Sequence, residues 1–306
     1  MLKPPAVSPG AAIRVIAPAS SARDERVERG LAALSALGFV PQMGAHALAR
    51  VPLYFAGSAG ERLEDFHAAF EDETAAAVMS LRGGYGSNYL LRGLDLDRIA
   101  AHPKPFFSYS DLTGVQLHLL DRIGLPAFHG PMAAADFYLD SGVHLKSFRA
   151  ALTGELYSVS AAEGLRVLKP GLARGVLYGG CLSILASLLG TPWEPQTEGK
   201  LLFLEDVGTK PYQVDRMLWQ LRAAGKLEGV TGIVLGEMMD CVQPGSEPQL
   251  LEEAILNALD GFEGPIAIGL RSGHVSRENV TLTFGVEAEL CLDASSQLRI
   301  LEAAVE

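Results

Sequence analysis

The first half of the chain alternates short apolar runs with helical periods, and a turn of small residues joins each pair. The run AAIRVIAPASS leads into RVERGLAALSALGF, a segment that places on one helical face Val27, Leu31, Leu34 and Leu37. The runs AAAVMSLRGGYG and PFFSYSD lead into SNYLLRGL and LTGVQLHLLDRIG in the same way. Strands that alternate with helices form a parallel sheet with helices on its faces. Because ligands bind at the carboxyl ends of such strands, we expect a functional site at these turns.

The pattern changes after about residue 150. A glycine-punctuated stretch, GELYSVSAAEGLRVLKPGLARG, is followed by short strands in KLLFLED, GVTGIVLGEM, PIAIGL, ENVTLTFG and AELCLD. A helix is predicted from Tyr212 to about Ala224. The sequence therefore predicts an α/β protein of two domains. Residues 1–150 would form an N-terminal parallel-sheet α/β domain, and residues 151–306 a second, strand-rich C-terminal domain.

Composition narrows the range of partners. The chain has 306 residues, of which 48% are apolar and 20% charged, with a net charge of -11. An acidic surface repels phosphate backbones and acidic lipids, so we expect neither a nucleic-acid nor a membrane partner. The N-terminus is a poor signal peptide, and no stretch approaches the roughly 20 apolar residues of a membrane helix. We therefore expect a soluble, cytoplasmic protein.

The three cysteines, Cys181, Cys241 and Cys291, are isolated from one another. No C-x-x-C pair or zinc-like spacing is present, which indicates neither a disulfide framework nor a metal site. No ligand spacing elsewhere suggests an ion or an organic group. We therefore expect a protein of a reducing compartment without a metal or other cofactor.

The segment FFSYSDLTG places Ser110 where an apolar strand ends and a helix begins. A hydroxyl at such a joint projects above the sheet edge, beside the unpaired amides of the first helical turn. Those amides, including that of Asp111, can hold a developing oxyanion, which suits a nucleophilic serine. The simpler alternative is that Ser110 or Asp111 caps the helix. The G-x-S-x-G motif is absent, because Ser108 and Leu112 occupy its glycine positions.

The loop RGGYG, residues 82–86, follows the preceding apolar run. Adjacent glycines let a backbone approach a ligand closely, so Gly83 or Gly84 can supply a second oxyanion donor, and we favour Gly84. A phosphate-binding loop is a weaker interpretation, because the third glycine and a G-K-[ST] motif are both missing. A plain tight turn is the remaining alternative.

A nucleophilic serine needs a base and a carboxylate that orients it. Of the seven histidines, His129 in FHGP could line a pocket, and His274 in RSGHVSREN lies in a polar loop after the predicted strand PIAIGL. A lone loop histidine is also commonly just solvated. For the carboxylate, Glu205 and Asp206 both follow the apolar run of KLLFLED, and their side chains point to opposite faces if the strand continues. Their spacing does not choose between them.

Several blocks together resemble the LD-carboxypeptidase family of serine peptidases, which includes microcin-immunity-type proteins. They occur in the family's order between about residues 13 and 290: SLRGGYGSNYLL, PKPFFSYSDLTG, FHGPM, LYGGCLSILASLLGTPWEP, LLFLEDVGTKPYQVDRMLWQL and SGHVSREN. The resemblance implies a catalytic triad of Ser110, Glu205 and His274, which selects Glu205 over Asp206. It also implies an active site assembled from both domains, and a homodimer.

The resemblance further implies the reaction and its substrate. A murein tetrapeptide would lose its terminal D-alanine by hydrolysis of an L,D-peptide bond during cytoplasmic cell-wall recycling. The nearest alternative is an immunity-type peptidase that cleaves peptidyl-nucleotide or aminoacyl-nucleotide antibiotics. A non-catalytic binding protein for muropeptides or other small peptides is a third possibility, although it would not need all three triad residues.

Overall fold

The computed structural model describes residues 1–242, 245, 247, 249–293 and 296–306. Within these ranges the strands are β1 (Ala12–Ile16), β2 (Val40–Met43), β3 (Ala75–Ser80), β4 (Phe106–Ser108), β5 (Ala127–His129), β6 (Ser158–Ser160), β7 (Arg166–Lys169), β8 (Gly171–Cys181), β9 (Lys200–Glu205), β10 (Gly232–Gly236), β11 (Ile266–Leu270), β12 (Leu282–Phe284), β13 (Glu287–Leu292) and β14 (Gln297–Ile300). The α-helices are α1 (Asp24–Ala36), α2 (Ala59–Glu71), α3 (Leu96–Ala101), α4 (Thr113–Ile123), α5 (Leu145–Thr153), α6 (Leu182–Leu188), α7 (Pro211–Ala223) and α8 (Leu250–Ala258).

The chain divides into two units, and both are discontinuous. The first comprises Met1–Glu155, Arg277–Gly285 and Ala303–Glu306, and the second comprises Leu156–Ser276 and Val286–Glu302. The predicted class, a parallel-sheet α/β unit followed by a strand-rich one, is confirmed. The sequence predicted a single boundary near residue 150 and did not anticipate the two later segments that return to the first unit.

The sheet of the first unit has the strand order β12-β5-β4-β3-β1-β2. Strands β1 to β5 run parallel, and β12 pairs antiparallel with β5. The central strands are apolar and buried, and Phe107 of β4 packs against Phe128 of β5 with their ring centroids 5.1 Å apart. Because the strands are parallel, the loops after β1, β3, β4 and β5 emerge at one edge of this sheet.

The prediction of a helix in SNYLLRGL was wrong. Ser87–Tyr89 forms only a single turn of 3-10 helix, and the helix between β3 and β4 is α3, capped by the Asp95 side chain. Gly86 has a φ of 115°, and the backbone N–H of Ser87 donates to the Asp111 carboxylate. The residues around Ser87 therefore hold the loop at the sheet edge and do not extend a helix.

The sheet of the second unit has the order β6-β14-β13-β8-β9-β10-β11-β7. Strands β8 to β11 run parallel, and the strands outside them are antiparallel. Helix α7 buries Val214, Leu218 and Leu221 as its spacing predicted, and it begins and ends one residue earlier than expected. None of the helices in the described part of the chain combines the length and apolar character needed to cross a bilayer.

Candidate active site

Ser110 lies at a sharp turn between β4 and α4. Tyr109 is extended, Ser110 has a φ of 66°, and a 3-10 turn over Ser110–Leu112 leads into α4. A residue other than glycine rarely adopts this left-handed backbone conformation, so the turn stores local strain. Ser110 is partly exposed, whereas Asp111 and Leu112 are buried. The turn therefore presents the Ser110 hydroxyl at the carboxyl edge of the sheet, although no G-x-S-x-G motif is present.

The glycine loop after β3 lies directly against this serine. A Cβ atom added to Gly83 would lie 2.8 Å from Cβ and 3.0 Å from Oγ of Ser110, and 3.4 Å from the backbone nitrogen of Asp111. Only glycine allows so close an approach. Gly84 has a φ of 116°, and its added Cβ would instead meet the Ser20 side chain. The loop backbone and the Asp111 amide thus flank the same hydroxyl.

The carboxylate of Glu205, at the end of β9, is fully buried. Its Oε2 accepts hydrogen bonds from the backbone N–H of His274 at 3.0 Å and from His274 Nδ1 at 2.8 Å. An ionised carboxylate only accepts, so the ring proton is assigned to Nδ1 and Nε2 carries the lone pair. The His274 side chain is 20% exposed. A buried acid therefore fixes the orientation and the tautomer of a partly accessible imidazole.

Two glycines make room for this pair. A Cβ on Gly273, whose φ is 88°, would lie 2.6 Å from Cδ and 2.8 Å from Oε2 of Glu205. A Cβ on Gly236 would lie 2.7 Å from Cβ of Glu205. Gly273 directly precedes the candidate histidine His274 in the sequence, whereas Gly236 carries no signal that separates it from other strand-end glycines.

Asp206 has a different environment from its neighbour. Its Oδ2 accepts from the backbone N–H of Ser183 at the start of α6, at 2.8 Å. Its Oδ1 accepts from the backbone N–H of Val207 and from the hydroxyl of Thr209. Asp206 thus holds local backbone in place, while Glu205 pairs with the histidine.

Two buried thiols lie near these carboxylates. Burial, together with the charges of Glu205 and Asp206, raises the pKa of Cys181 well above its usual value. Burial likewise raises the pKa of Cys241 to about 11. Both thiols stay protonated at neutral pH, and a protonated thiol is a poor nucleophile. Neither thiol is therefore a good candidate for a nucleophile.

His129, the other histidine singled out from the sequence, is fully buried in the first unit. Its ring lies 5.8 Å from that of Tyr109 and 5.2 Å from that of Phe284, measured between centroids. This packing gives His129 a place in the core. Over the described ranges, no group of three or more histidine, cysteine, aspartate or glutamate side chains is arranged to hold a metal ion.

Ser110, Gly83 and the Asp111 amide therefore come together in the first unit, and Glu205 and His274 in the second. Such groups are the parts from which serine hydrolases are built. Sequence reasoning missed the side chain of Ser87, which contacts Asp111, and the buried Arg62. Arg62 lies four residues before the apolar Phe66, on the same helical face, which could have drawn attention to it, but nothing distinguishes Ser87.

Comparison with known proteins gives the family. A model of the LD-carboxypeptidase N-terminal domain matches residues 13–130, and one of the LD-carboxypeptidase C-terminal domain matches residues 174–290. The chain belongs to the LD-carboxypeptidase family, as its sequence blocks predicted.

Relatives of two kinds are similar to the chain. It is 37% identical to the probable murein peptide carboxypeptidase of Bacillus subtilis, over 99% of this chain and 95% of that protein. It is 35% identical to the murein tetrapeptide carboxypeptidase of Pseudomonas aeruginosa, over 91% and 92%. The solved structure of MccF in complex with glutamyl sulfamoyl guanosine has a TM-score of 0.91 and 25% identity over the whole of both chains. MccF is a microcin C7 self-immunity protein of Escherichia coli.

Proposed function

We propose that this protein is a serine LD-carboxypeptidase that releases the terminal D-alanine of murein tetrapeptides. The observation that carries the proposal is the pair formed by the buried Glu205 carboxylate and His274 Nδ1, 2.8 Å apart. A buried carboxylate that holds the ring proton on Nδ1 leaves the lone pair on Nε2, and a histidine needs that lone pair to act as a base. The strained serine of the first unit supports the proposal, as do the murein carboxypeptidases among the relatives.

In the proposed reaction Ser110 Oγ attacks the carbonyl carbon of the last peptide bond, and its proton passes to His274 Nε2. The oxyanion accepts hydrogen bonds from the backbone N–H groups of Asp111 and Gly84. The intermediate collapses when Nε2 returns the proton to the leaving amine of D-alanine. Water, activated by the same nitrogen, then hydrolyses the acyl-enzyme and frees Ser110. Glu205 orients the ring and balances its positive charge in both steps.

The mechanism requires the Ser110 hydroxyl to reach His274 Nε2 within about 3 Å in the substrate complex. It also requires that the backbone of the glycine loop lie close enough to Ser110 for one of its N–H groups to reach the oxyanion. A Cβ added to Gly83 would lie 3.0 Å from Ser110 Oγ and 3.4 Å from the Asp111 nitrogen, and this closeness of the loop backbone supports the second requirement. The amide of Gly83 is the alternative donor to that of Gly84.

Product analysis tests the proposal. Purified protein is incubated with tetrapeptides that end in D-alanine or L-alanine, and the products are identified by mass spectrometry. We expect D-alanine and the tripeptide from the D-terminated substrate only. Ser110→Ala should abolish turnover and leave the circular dichroism spectrum unchanged. Retained hydrolysis in that variant would rule out Ser110 as the nucleophile.

A second candidate is cleavage of aminoacyl-nucleotide antibiotics. The full-length structural match to MccF, determined with a glutamyl sulfamoyl guanosine ligand, favours it. The higher identity to the murein carboxypeptidases, 37% and 35%, favours the murein reaction. Parallel assays with a muramyl tetrapeptide and an aminoacyl-sulfamoyl adenylate separate the two, and we expect the higher kcat/KM for the tetrapeptide.

The proposal includes a cytoplasmic location and a homodimer. Both follow from the place of murein recycling inside the cell and from the family resemblance. Light scattering of the purified protein should give twice the mass of one chain. A monomer mass with full activity would refute the dimer and leave the proposed reaction standing.

A further inference from the structure

The loop of residues 82–87 touches Ser110 and is held at several points by buried polar groups of the first unit. The backbone N–H of Tyr85 donates to the Ser20 hydroxyl at 3.0 Å. The carbonyl of Gly86 accepts from Arg62 Nη1 at 2.7 Å, and the same nitrogen donates to the Pro18 carbonyl at 2.8 Å. These contacts join the loop to the segment that follows β1. They do not join it to the serine.

Two hydrogen bonds between Ser87 and Asp111 connect the loop to the segment that carries Ser110. The backbone N–H of Ser87 donates to Asp111 Oδ2 at 2.8 Å, and the Ser87 hydroxyl donates to the Asp111 carbonyl at 2.6 Å. The two bonds run between the same two residues and cross from one segment to the other. They end on the residue directly after Ser110. Movement of the loop relative to the serine therefore has to break them.

This pair is buried, so water cannot easily replace its bonds. Ser87 is 2% exposed and Asp111 is 6% exposed. Burial raises the pKa of the Asp111 carboxyl, and the hydrogen bonds from Ser87 and the charge of Arg62 oppose that rise. A buried carboxylate is an unfavourable way to tie down a loop, since a neutral side chain would avoid the desolvation. Its presence beside the nucleophile suggests a role beyond folding.

We propose that Ser87 and the Asp111 carboxylate are positioning residues, which hold the glycine loop so that its amide is aimed at the oxyanion formed on attack by Ser110. The inference rests on the proposed function. A Cβ added to Gly83 would lie 2.8 Å from Ser110 Cβ, so the loop backbone packs directly against the serine, and a shift of roughly a few tenths of an ångström alters the distance from its amide to the oxyanion. A donor that drifts by this amount loses more of its bond to an oxyanion than of its bond to a ground-state carbonyl. The pair therefore acts on the transition state and little on substrate binding.

The first test variant is Ser87→Ala, which removes the hydroxyl bond and keeps the backbone N–H. We expect kcat for the tetrapeptide to fall by about 10-fold to 100-fold, with KM within about twofold of wild type. Affinity for a peptidyl boronic acid, which forms a tetrahedral adduct on serine, should fall in parallel with kcat. Affinity for the tripeptide product should stay unchanged.

Ser147→Ala is the matched control. Ser147 is fully buried in the same unit, its hydroxyl donates to the His144 carbonyl, and it accepts from the backbone N–H of Thr281. This variant should lose thermal stability to a similar degree and keep kcat and boronate affinity. The second test variant, Asp111→Asn, keeps the shape of the side chain and replaces the charged acceptor by an amide oxygen, which holds the Ser87 N–H more weakly. It should lower kcat and boronate affinity in the same proportion as each other.

The kcat and boronate affinity of the variants decide whether the Ser87–Asp111 pair positions the loop or serves the fold alone. If Ser87→Ala and Asp111→Asn match Ser147→Ala in kcat and boronate affinity, the pair serves the fold alone and the inference is overturned. The same holds if KM rises as much as kcat falls, or if neither variant folds. A wild-type protein that neither hydrolyses the tetrapeptide nor binds the boronate would overturn the proposed function itself, and with it the inference.

Discussion

Replacing Gly273 by alanine tests how closely the glutamate and histidine are packed. The new Cβ would lie 2.6 Å from Glu205 Cδ and 2.8 Å from Oε2. Nonbonded carbon atoms prefer about 3.5–4.0 Å, so the carboxylate would have to move by roughly 1 Å. Such a shift breaks the 2.8 Å bond to His274 Nδ1.

The expected losses follow from that geometry. An alanine at a φ of 88° is strained by about 1–2 kcal/mol, and a lost hydrogen bond to a charged group adds about 1.5–3 kcal/mol. A catalytic group misplaced by about 1 Å lowers the rate by roughly 100-fold. Gly273→Ala should therefore lose both stability and kcat.

Gly199→Ala is the control, because Gly199 has a φ of 70° and its added Cβ would have no neighbour within 4 Å. This variant carries the backbone strain without the collision. Urea unfolding and steady-state hydrolysis of the tetrapeptide measure both effects. The reasoning is refuted if the two variants show equal kcat, because the collision with Glu205 would then have no effect on the site.

Three further predictions concern single groups. Glu205→Gln should lower kcat by about 10⁴-fold with little change in fold, because an amide can stabilise the wrong tautomer of His274; kinetics and circular dichroism check this. Gly83→Ala should lower kcat by about 10²–10³-fold, since its Cβ would lie 3.0 Å from Ser110 Oγ, and a normal tetrapeptide KM and kcat would contradict it. The raised pKa of Asp111 means that its contribution to stability is present below pH 3.8, its usual value, and is lost as pH rises through the folded-state pKa. The stability of Asp111→Asn relative to wild type should therefore increase over that pH range in urea unfolding, and a flat difference would be contrary to this sign.

Much of the fold could be predicted from local patterns. Apolar runs such as KLLFLE and AIRVI form strands, and the three-to-four residue spacing of α7 gives its buried face. In α1 the spacing gives Val27 and Leu34 as buried, whereas Leu31 is half-buried and Leu37 follows the end of the helix. The joint at Ser110 was also predictable, because a strand, a serine and a helical period follow one another there. These features depend on neighbours in the sequence, which is why the sequence carries them.

Other features depend on contacts between distant segments. In SNYLLRGL a single 3-10 turn replaces the predicted helix, and the first residue of that turn, Ser87, bonds to Asp111, 24 residues later. Strand β12 joins the sheet of the first unit through β5, which lies far earlier in the chain. No local pattern contains such pairings.

The same limit applies to the candidate site. Glu205 and Asp206 follow the same apolar run, and only their partners distinguish them. Glu205 bonds to His274, whereas Asp206 bonds to backbone around α6 and to Thr209. The positive φ of Ser110 was equally hidden, because residues other than glycine rarely adopt it and the sequence around Ser110 carries no signal for it.

Covalent trapping of the nucleophile tests the central claim most directly. The folded protein is treated with a fluorophosphonate, digested, and mapped by mass spectrometry, and the rate of adduct formation is compared with that of His274→Ala. The account predicts a single adduct on Ser110 in the wild type and a much slower reaction in the variant. An adduct on another residue, or equal rates in the two proteins, would contradict it.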